Sequence, residues 1–388
     1  MNAITSLTDL CRSGPAAGSR LIMAIAALGV SAPLLAPTAV QAQAVAYPSA
    51  VYDPKSSNDP VVFTTGASGG LFDDYWNGSR WVWQAQATAP PPSTGIVGPN
   101  SLVYDPASSH PLVDFTNDSS GNVWIDYWSG TSWVWQNLGC PGVAVYNSDA
   151  LYVPNGHPLV DFVQGSDGNL YDIYWSGSSW VWESQGHPPG TGVEWPVGGA
   201  VYQPTTKSLM VFVTAANGHL FDKAWIGSSW VWQDLGTPPG TLAQSQPSAI
   251  IETLAPQAVK AYVTGANGHL FEYHGSWNDL GTPPGTTVNG APAAVYQPTA
   301  HPFTVFVVGA DGHLHDAYYN SSTWTWQDQG TPPGDTAVSA TKGLSPIYGP
   351  TPVGLNLMVF TTGLGTGNLY IKFWDGSLGW QWGNLGKP

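Results

Sequence analysis

The chain has 388 residues, a formal net charge of −15, and only 9% charged residues. Its 10 lysines and arginines are too few for the phosphate contacts of a nucleic-acid-binding protein, and they also disfavour docking on an anionic membrane surface. Glycine, proline and tryptophan are abundant, with 46, 34 and 20 copies. Because glycine and proline are typical of turns and tryptophan of strands, the composition predicts an all-β protein with many short strands.

The first residues have a different character. Arg12 and Arg20 precede an apolar run over residues 21–35, and Ala42-Gln43-Ala44 follows as a small-x-small cleavage pattern. This order is typical of a secretory signal peptide, and the run is too short to cross a bilayer comfortably as a membrane span. We therefore predict a signal peptide over residues 1–44 and a secreted, periplasmic or extracellular protein.

The cysteines fit the same interpretation. The sequence holds Cys11 and Cys140, and the first lies in the predicted signal peptide. Removal of residues 1–44 would leave Cys140 alone, so we expect no intrachain disulfide in the mature chain.

One sequence motif recurs seven times after the predicted signal peptide. A full copy reads Trp230-Val231-Trp232-Gln233-Asp234-Leu235-Gly236-Thr237-Pro238-Pro239-Gly240. Self-similarity at steps of 45 to 56 residues predicts a repeat architecture. The second tryptophan of each copy, or the single one in copy five, is Trp83, Trp135, Trp182, Trp232, Trp277, Trp326 or Trp382.

Each copy carries four strand signals. In the fourth copy they are Ala200–Gln203, Leu209–Val213, Leu220–Trp225 and Trp230–Gln233, with a hairpin turn at Asn217-Gly218. Four short antiparallel strands repeated seven times predict one seven-bladed β-propeller domain over residues 45–388. Copy five lacks the first tryptophan, so we expect a complete blade with a shortened outer hairpin there.

The repeat resembles that of the seven-bladed β-propeller lectins typified by the Photorhabdus lectins. The similar features are the turn Asp311-Gly312-His313-Leu314, the Trp-x-Trp strand, and the exit Leu280-Gly281-Thr282-Pro283-Pro284-Gly285. The resemblance covers residues 45–388 and implies binding of fucose and related sugars in clefts between neighbouring blades. The six-bladed fucose lectins place an arginine beside an acid and a tryptophan, and the predicted mature chain has almost no arginine for such a clamp.

Four residue types recur at fixed repeat positions and suit a neutral sugar. Tryptophan rings stack on the C–H faces of a pyranose, while carboxylates, imidazoles and amides hydrogen-bond its hydroxyls. The candidate sugar contacts are Trp81, Trp133, Trp180, Trp230, Trp324, Asp73, Asp172, Asp222, Asp316, His219, His313, Gln84, Gln136, Gln233 and Gln327.

Each type also has a structural interpretation. The tryptophans fit a core between blades, the acids could bond turn backbone at a blade rim, and the histidines could flank turns. The glutamines could solvate an edge strand. Two further acids, Asp114 and Asp161, lie in apolar Leu-Val-Asp-Phe runs and are expected to be either buried or facing the central channel, with a structural role.

Copies three and four hold every repeat element. We therefore expect the best sites to combine Trp180 or Trp230 with Asp172 or Asp222, together with His219 and Gln233. Copies two, five and seven should be weaker, because each lacks a candidate contact. The defects are Ile125 in copy two, the missing first tryptophan in copy five, and Ile371 with Gly383 in copy seven.

Three functions are compatible with the sequence. The first is a secreted multivalent lectin whose partners are glycans, without a cofactor. The second is a structural or protein-interaction propeller of the cell envelope, and the third is a glycosidase on a propeller scaffold. Glycosidases need one special pair of carboxylates, whereas these acids repeat, and no clustered His/Cys pattern suggests a metal centre. The lectin is therefore favoured as a non-enzyme, and association into a homo-oligomer is compatible with it.

Overall fold

The computed structural model describes residues 45–53, 60–86, 95–108, 111–154, 158–252, 258–299, 301–349 and 357–388. Within these ranges 28 strands form seven four-stranded antiparallel sheets, which confirms the predicted all-β, seven-bladed propeller. The predicted signal peptide lies outside the described residues, so cleavage after Ala44 stays a prediction. The described part of the chain contains no helix of the length and apolarity that a membrane crossing needs.

The strands follow one another in chain order, four to a blade. They are β1 Val45–Val51, β2 Val61–Gly66, β3 Leu71–Trp76, β4 Trp81–Ala85, β5 Ile96–Tyr104, β6 Leu112–Asp118, β7 Val123–Trp128, β8 Trp133–Gly139, β9 Val145–Tyr152, β10 Leu159–Gly165, β11 Leu170–Trp175, β12 Trp180–Gly186, β13 Gly198–Gln203, β14 Ser208–Thr214, β15 Leu220–Trp225, β16 Trp230–Asp234, β17 Ser248–Ile251, β18 Val259–Thr264, β19 Leu270–Tyr273, β20 Trp277–Gly281, β21 Ala293–Tyr296, β22 Phe303–Val308, β23 Leu314–Tyr319, β24 Trp324–Gly330, β25 Leu344–Tyr348, β26 Leu357–Thr362, β27 Leu369–Asp375 and β28 Gly379–Gly386.

Blades one and seven are each built from four consecutive strands, so neither end of the chain adds a strand to the other blade to close the ring. The first strand of every blade contacts the first strand of the next, and β25 of blade seven contacts β1 of blade one. At this closure the backbone N–H of Ala50 donates to Ser345 Oγ at 2.9 Å, and the N–H of Tyr47 donates to the carbonyl of Lys342 at 2.9 Å. Packing and hydrogen bonds between the first and last blades therefore join the two ends of the propeller.

The strand predictions agree closely with the structure. In blade four, the third strand has the predicted bounds, and the other three extend the predicted ones by at most two residues at either end. Gly218 has a φ of 76°, a left-handed value that glycine adopts without a Cβ clash, as the Asn-Gly turn requires. Blade five is complete, and its outer hairpin is shortened to the three residues between Tyr273 and Trp277. Both predictions for blade five are therefore confirmed.

The second tryptophan of the repeat joins neighbouring blades. In six blades its indole N–H donates to a backbone carbonyl on the outer side of the preceding blade, at 2.8 to 3.1 Å. Trp135 is the exception, since its indole N–H has no hydrogen-bond partner. The six bonds are Trp83 to Leu385, Trp182 to Leu138, Trp232 to Gln185, Trp277 to Leu235, Trp326 to Leu280 and Trp382 to Gln329.

The first tryptophan also packs across the blade boundary. The ring of Trp230 meets Phe162 of blade three edge-to-face, with 5.9 Å between centroids. Trp180 meets Phe115 of blade two in the same way, at 5.7 Å. Edge-to-face contact is a favoured geometry for aromatic rings. Both tryptophans of the repeat contact the neighbouring blade, which confirms their interpretation as blade-to-blade core.

Cys140 is disulfide-bonded in the full-length chain. The partner lies outside the described residues. Because the expectation of no intrachain disulfide depended on removal of residues 1–44, it remains a prediction for the processed chain.

The indole bonds between blades give a matched pair of variants. Trp326→Phe removes a 2.9 Å hydrogen bond to the carbonyl of Leu280. Trp135→Phe makes the same change to an indole ring that has no such bond. We expect Trp326→Phe to lower the free energy of unfolding by about 1 kcal/mol more than Trp135→Phe, because a net hydrogen bond of this kind contributes that amount. Denaturant titrations of both variants would measure it. Equal losses would show that the indole N–H does not contribute.

Candidate functional site

Two clefts between neighbouring blades are built from equivalent repeat positions. The first, cleft 3/4, lies between blades three and four and has a volume of about 500 Å³. The second, cleft 6/7, lies between blades six and seven and has a volume of about 350 Å³. The matched lining pairs are Asp172 and Asp316, Tyr174 and Tyr318, Glu183 and Gln327, Tyr202 and Tyr348, Trp225 and Trp374, and Trp230 and Trp380.

Each cleft takes its two walls from different blades. In cleft 3/4, Asp172 and Glu183 lie side by side on adjacent strands of blade three, and Trp230 comes from blade four. Trp180, on the same blade as Asp172, packs against blade two instead. The acid and the tryptophan of one copy therefore serve different clefts, and a site combines the acid of one blade with the tryptophan of the next.

The cleft acids are buried and hydrogen-bonded to glutamines. Asp172 is 2% exposed and accepts a bond from Gln185 Nε2 at 2.8 Å. Asp316 accepts the equivalent bond from Gln329 at 2.7 Å, and Asp73 is bonded by Gln86 in the same way. The alternative in which these acids bond turn backbone at a rim is thus wrong for these three acids. The glutamine stands two residues beyond Glu183 or Gln327, so the repeat signal for it was present in the sequence.

Burial shifts the titration of both cleft acids. It raises the pKa of Asp172 to about 7, although the Gln185 hydrogen bond and Lys223 act against the shift. It raises the pKa of Asp316 to about 7 as well, against the opposing effects of Gln329 and Lys372. Near neutral pH each carboxyl can therefore act either as a donor or as an acceptor toward a ligand hydroxyl.

A lysine from the next blade faces each of these acids. Lys223 Nζ lies 5.0 Å from the ring centroid of Trp232, and Lys372 Nζ lies 4.9 Å from that of Trp382. Burial lowers the pKa of Lys372 to about 8, while Asp316 acts in the opposite direction. Sequence reasoning missed both lysines, although the other copies carry no cation at this position. The equivalent residues elsewhere are Asp74, Asp126, Ile173, Tyr273 and Ala317.

The remaining candidate tryptophans and acids occupy other boundaries between blades. Asp73 on blade one faces the boundary with blade two, where Trp133 packs against Phe63. Trp324 packs on Tyr262 at the boundary where Glu272 is held by Lys260 at 2.9 Å. Glu272 therefore pairs with a lysine of its own blade, whereas the cleft acids are hydrogen-bonded to glutamines.

The three repeat defects each leave one boundary without a candidate contact, and the weaker binding expected from them stays a prediction. Ile125 replaces the acid opposite Trp180, and Ile371 replaces it opposite Trp81. Asp222 and Gln233 pair on adjacent strands of blade four and face the boundary with blade five, where the first tryptophan is missing. One carboxyl oxygen of Asp222 is buried without a hydrogen-bond partner. The four candidate glutamines, Gln84, Gln136, Gln233 and Gln327, are exposed on the outer strands.

The two candidate histidines do not line the clefts. His219 Nδ1 lies 2.9 Å from Asp234, and His313 Nδ1 lies 3.0 Å from Asp328, at the far end of the outer strands. Neither histidine is among the residues that line cleft 3/4 or cleft 6/7. The expected combination of His219 with Trp230 is therefore not what this structure brings together.

Several buried carboxyl groups lie near the boundary between blades one and two. Asp126 is 0% exposed, neither of its carboxyl oxygens has a partner, and it lies opposite Asp114 in the sheet. Burial, with Asp73 adding to it, raises the pKa of Asp126 to about 8. Asp114 and Asp161 are both 0% exposed, which confirms their expected burial.

These carboxyls make stability depend on pH. Their pKa values in the folded chain, about 7 for Asp73 and about 8 for Asp126, exceed the unfolded value of 3.8. The folded chain then binds more protons than the unfolded chain between pH 4 and 8, so its stability falls as pH rises through that window. We expect Asp126→Asn to reduce this fall. Thermal melts at pH 5 and pH 8 would measure it, and an equal pH dependence in both proteins would contradict the assignment.

Comparison with known proteins gives structural relatives only. No protein-family model matches the sequence, and no curated protein matches it. The BP39L lectin from Burkholderia pseudomallei is similar over 89% of this chain and 100% of its own, with 17% identity and a TM-score of 0.64. The AofleA protein from Arthrobotrys oligospora aligns over 74% of this chain and 85% of its own, with 15% identity and a TM-score of 0.49. The first similarity shows that this chain has the fold of a known propeller lectin.

Proposed function

We propose that this protein is a multivalent carbohydrate-binding lectin, and that cleft 3/4 and cleft 6/7 are its sugar sites. The observation that carries the proposal is the matched lining of the two clefts. Each brings two tryptophans, two tyrosines, a buried acid and an exposed polar side chain to one concave surface. The fold that the chain shares with BP39L, a lectin, supports the proposal.

The chemistry of the clefts suits a neutral sugar. Trp225 and Trp230 offer ring faces for the apolar side of a pyranose, while Glu183 and Asp172 offer oxygens for its hydroxyls. In cleft 6/7 the amide of Gln327 replaces the carboxylate of Glu183 and provides donors as well as acceptors. The sequence resemblance to propeller lectins directs the proposal to fucose and related sugars.

Single sites of this kind bind weakly. We expect a Kd between millimolar and tens of micromolar, equivalent to about 4 to 6 kcal/mol per site. Two clefts on one rigid ring can engage a glycan surface together, which raises the apparent affinity by roughly 10²- to 10⁴-fold. A lectin with two such sites needs a surface that carries many glycans, so a secreted location is part of the proposal.

Export follows from the N-terminal pattern and has its own test. N-terminal sequencing of protein recovered from outside the cytoplasm should begin at Val45. Recovery of a chain that still begins at Met1 would refute export by this route.

The other two functions have less support. A glycosidase needs two accessible carboxyls at a defined separation. Cleft 3/4 is lined by two carboxyls, Asp172 and Glu183, but the matched cleft 6/7 has Gln327 in place of the second, so the lining that recurs holds a single acid. A structural propeller does not require the same aromatic and polar set to recur in two clefts. We therefore propose that the protein is not an enzyme.

The number of sugar sites can be changed one at a time. Trp374 is 43% exposed, so Trp374→Ala removes a wall of cleft 6/7 with little effect on the core. The titrant is a fucoside, or another monosaccharide that a glycan array shows the protein to bind. We expect calorimetry to give two sites in the unmodified protein and one in Trp374→Ala. Trp225→Ala combined with Trp374→Ala should leave none.

A matched variant controls for general damage. Trp175 occupies the same repeat position on blade three, where it packs on Trp180 opposite Ile125 at a boundary without the acid. We expect Trp175→Ala to keep both sugar sites. Loss of sites in Trp175→Ala, or retention of both in the double variant, would refute the assignment of clefts. Absence of binding to any sugar on a broad glycan array would refute the lectin itself.

A further inference from the structure

Blade six departs from the repeat at a single buried position. The residue that follows the first residue of the third strand is aromatic in six blades, but it is His315 in blade six. The imidazole is 1% exposed, and its Nδ1 has no hydrogen-bond partner. A buried polar atom without a partner costs free energy, so packing alone does not favour histidine over the aromatic residues of the other blades. The aromatic residues are Phe72, Trp124, Tyr171, Phe221, Phe271 and Tyr370.

His315 lies in a group of three metal-binding side chains. Its Nε2 is 3.2 Å from both carboxyl oxygens of Asp311, and His313 is two residues away on the same side of the chain. One ligand atom from each of Asp311, His313 and His315 lies within 4.8 Å of the others. The backbone N–H of His313 donates to Asp311 Oδ1 at 3.0 Å, which fixes the carboxylate in the turn.

Asp328 is bonded to the imidazole of His313 and lies close to that of His315. Its carboxyl oxygens lie 3.0 Å from His313 Nδ1, and one of them lies 3.9 Å from His315 Nδ1. The two rings stack with 6.0 Å between centroids and 20° between planes. The Asp328 contact at Nδ1 of His313 leaves Nε2 of that ring to bind an ion, and His315 already directs its Nε2 toward the carboxylate of Asp311. A carboxylate behind a ligating histidine is the usual outer partner in such sites.

We propose that Asp311, His313 and His315 bind one Zn²⁺ ion, with Asp328 as the outer partner of both histidines. Two imidazoles and one carboxylate are a ligand set that zinc accepts, with bonds of about 2.0 to 2.2 Å. The three ligand atoms lie within 4.8 Å of one another, so side-chain movement on binding has to bring them closer to reach those bond lengths. Asp311 is exposed and His313 is half-buried, so water can take the fourth position.

Blades four and five supply built-in controls. Each has the first histidine and its outer-strand acid, as in the pairs His219–Asp234 and His269–Asp279. Each has asparagine where blade six has Asp311, and phenylalanine where it has His315. Those blades keep the same fold without the ligand set. The zinc site is also separate from the sugar clefts, because none of its three ligands lines them.

The test is a zinc titration of untagged, full-length protein after removal of metals with a chelator. We expect calorimetry to give one Zn²⁺ per chain for the unmodified protein. Asp311→Asn and His315→Phe place the residues of blades four and five in blade six, and each should weaken binding at least 100-fold. Asp328→Asn should weaken it about 10- to 100-fold, since it removes only the outer partner. Cobalt substitution should give a visible absorption band that is lost in His315→Phe.

A control variant and the pH dependence of zinc affinity complete the test. His269→Asn should leave the zinc affinity unchanged, because blade five lacks the second histidine. Affinity should fall as the pH is lowered, because protons compete with zinc for the imidazole nitrogens. A chain that binds no Zn²⁺ up to millimolar concentration would overturn the proposal. Equal zinc binding by the unmodified protein and His315→Phe would overturn it as well.

Discussion

The fold depends on the burial of both faces of every blade by its neighbours. A single four-stranded sheet of this sequence would expose two apolar faces, and each main hydrophobic cluster joins residues of adjacent blades. One cluster contains Val62 of blade one with Met358 and Phe360 of blade seven, so the closure is packed like any other boundary. At six of the boundaries the indole hydrogen bond also fixes how one blade is oriented against the next. The clefts lie between blades, so their shape depends on this packing.

The positions that differ among copies are the ones with chemical consequences. The apolar strands and tryptophans build the boundaries, while the residue facing the neighbouring acid changes from lysine to aspartate to apolar types. Lys223 and Lys372 occur where the acid, the glutamine and the tryptophans are all present. At Asp126 the same position places a second carboxyl near Asp73, with a raised pKa as the result. One backbone thereby presents clefts of different electrostatic character around a single ring.

Sequence patterns predict the strands of this protein well and its sites only in part. Alternation and Asn-Gly or Asp-Gly turns are local, so the third strand of blade four has the predicted bounds. A site between blades is not local: alternation shows that Trp230 and Trp232 share a face, but not that this face meets Asp172. The same reason hides Gln185 as the partner of Asp172. His315 was visible as a break in an aromatic series, yet its proximity to Asp328 depends on the pairing of two strands.

The central claim is that a sugar site forms where the acid of one blade meets the tryptophans of the next. The most direct measurement is a crystal structure of the protein soaked with a monosaccharide that it binds. The account predicts a sugar ring in cleft 3/4 against Trp225 and Trp230, within hydrogen-bond distance of Glu183, and an equivalent ring in cleft 6/7. Sugar bound instead along the central channel, or between blades two and three where Ile125 replaces the acid, would contradict it.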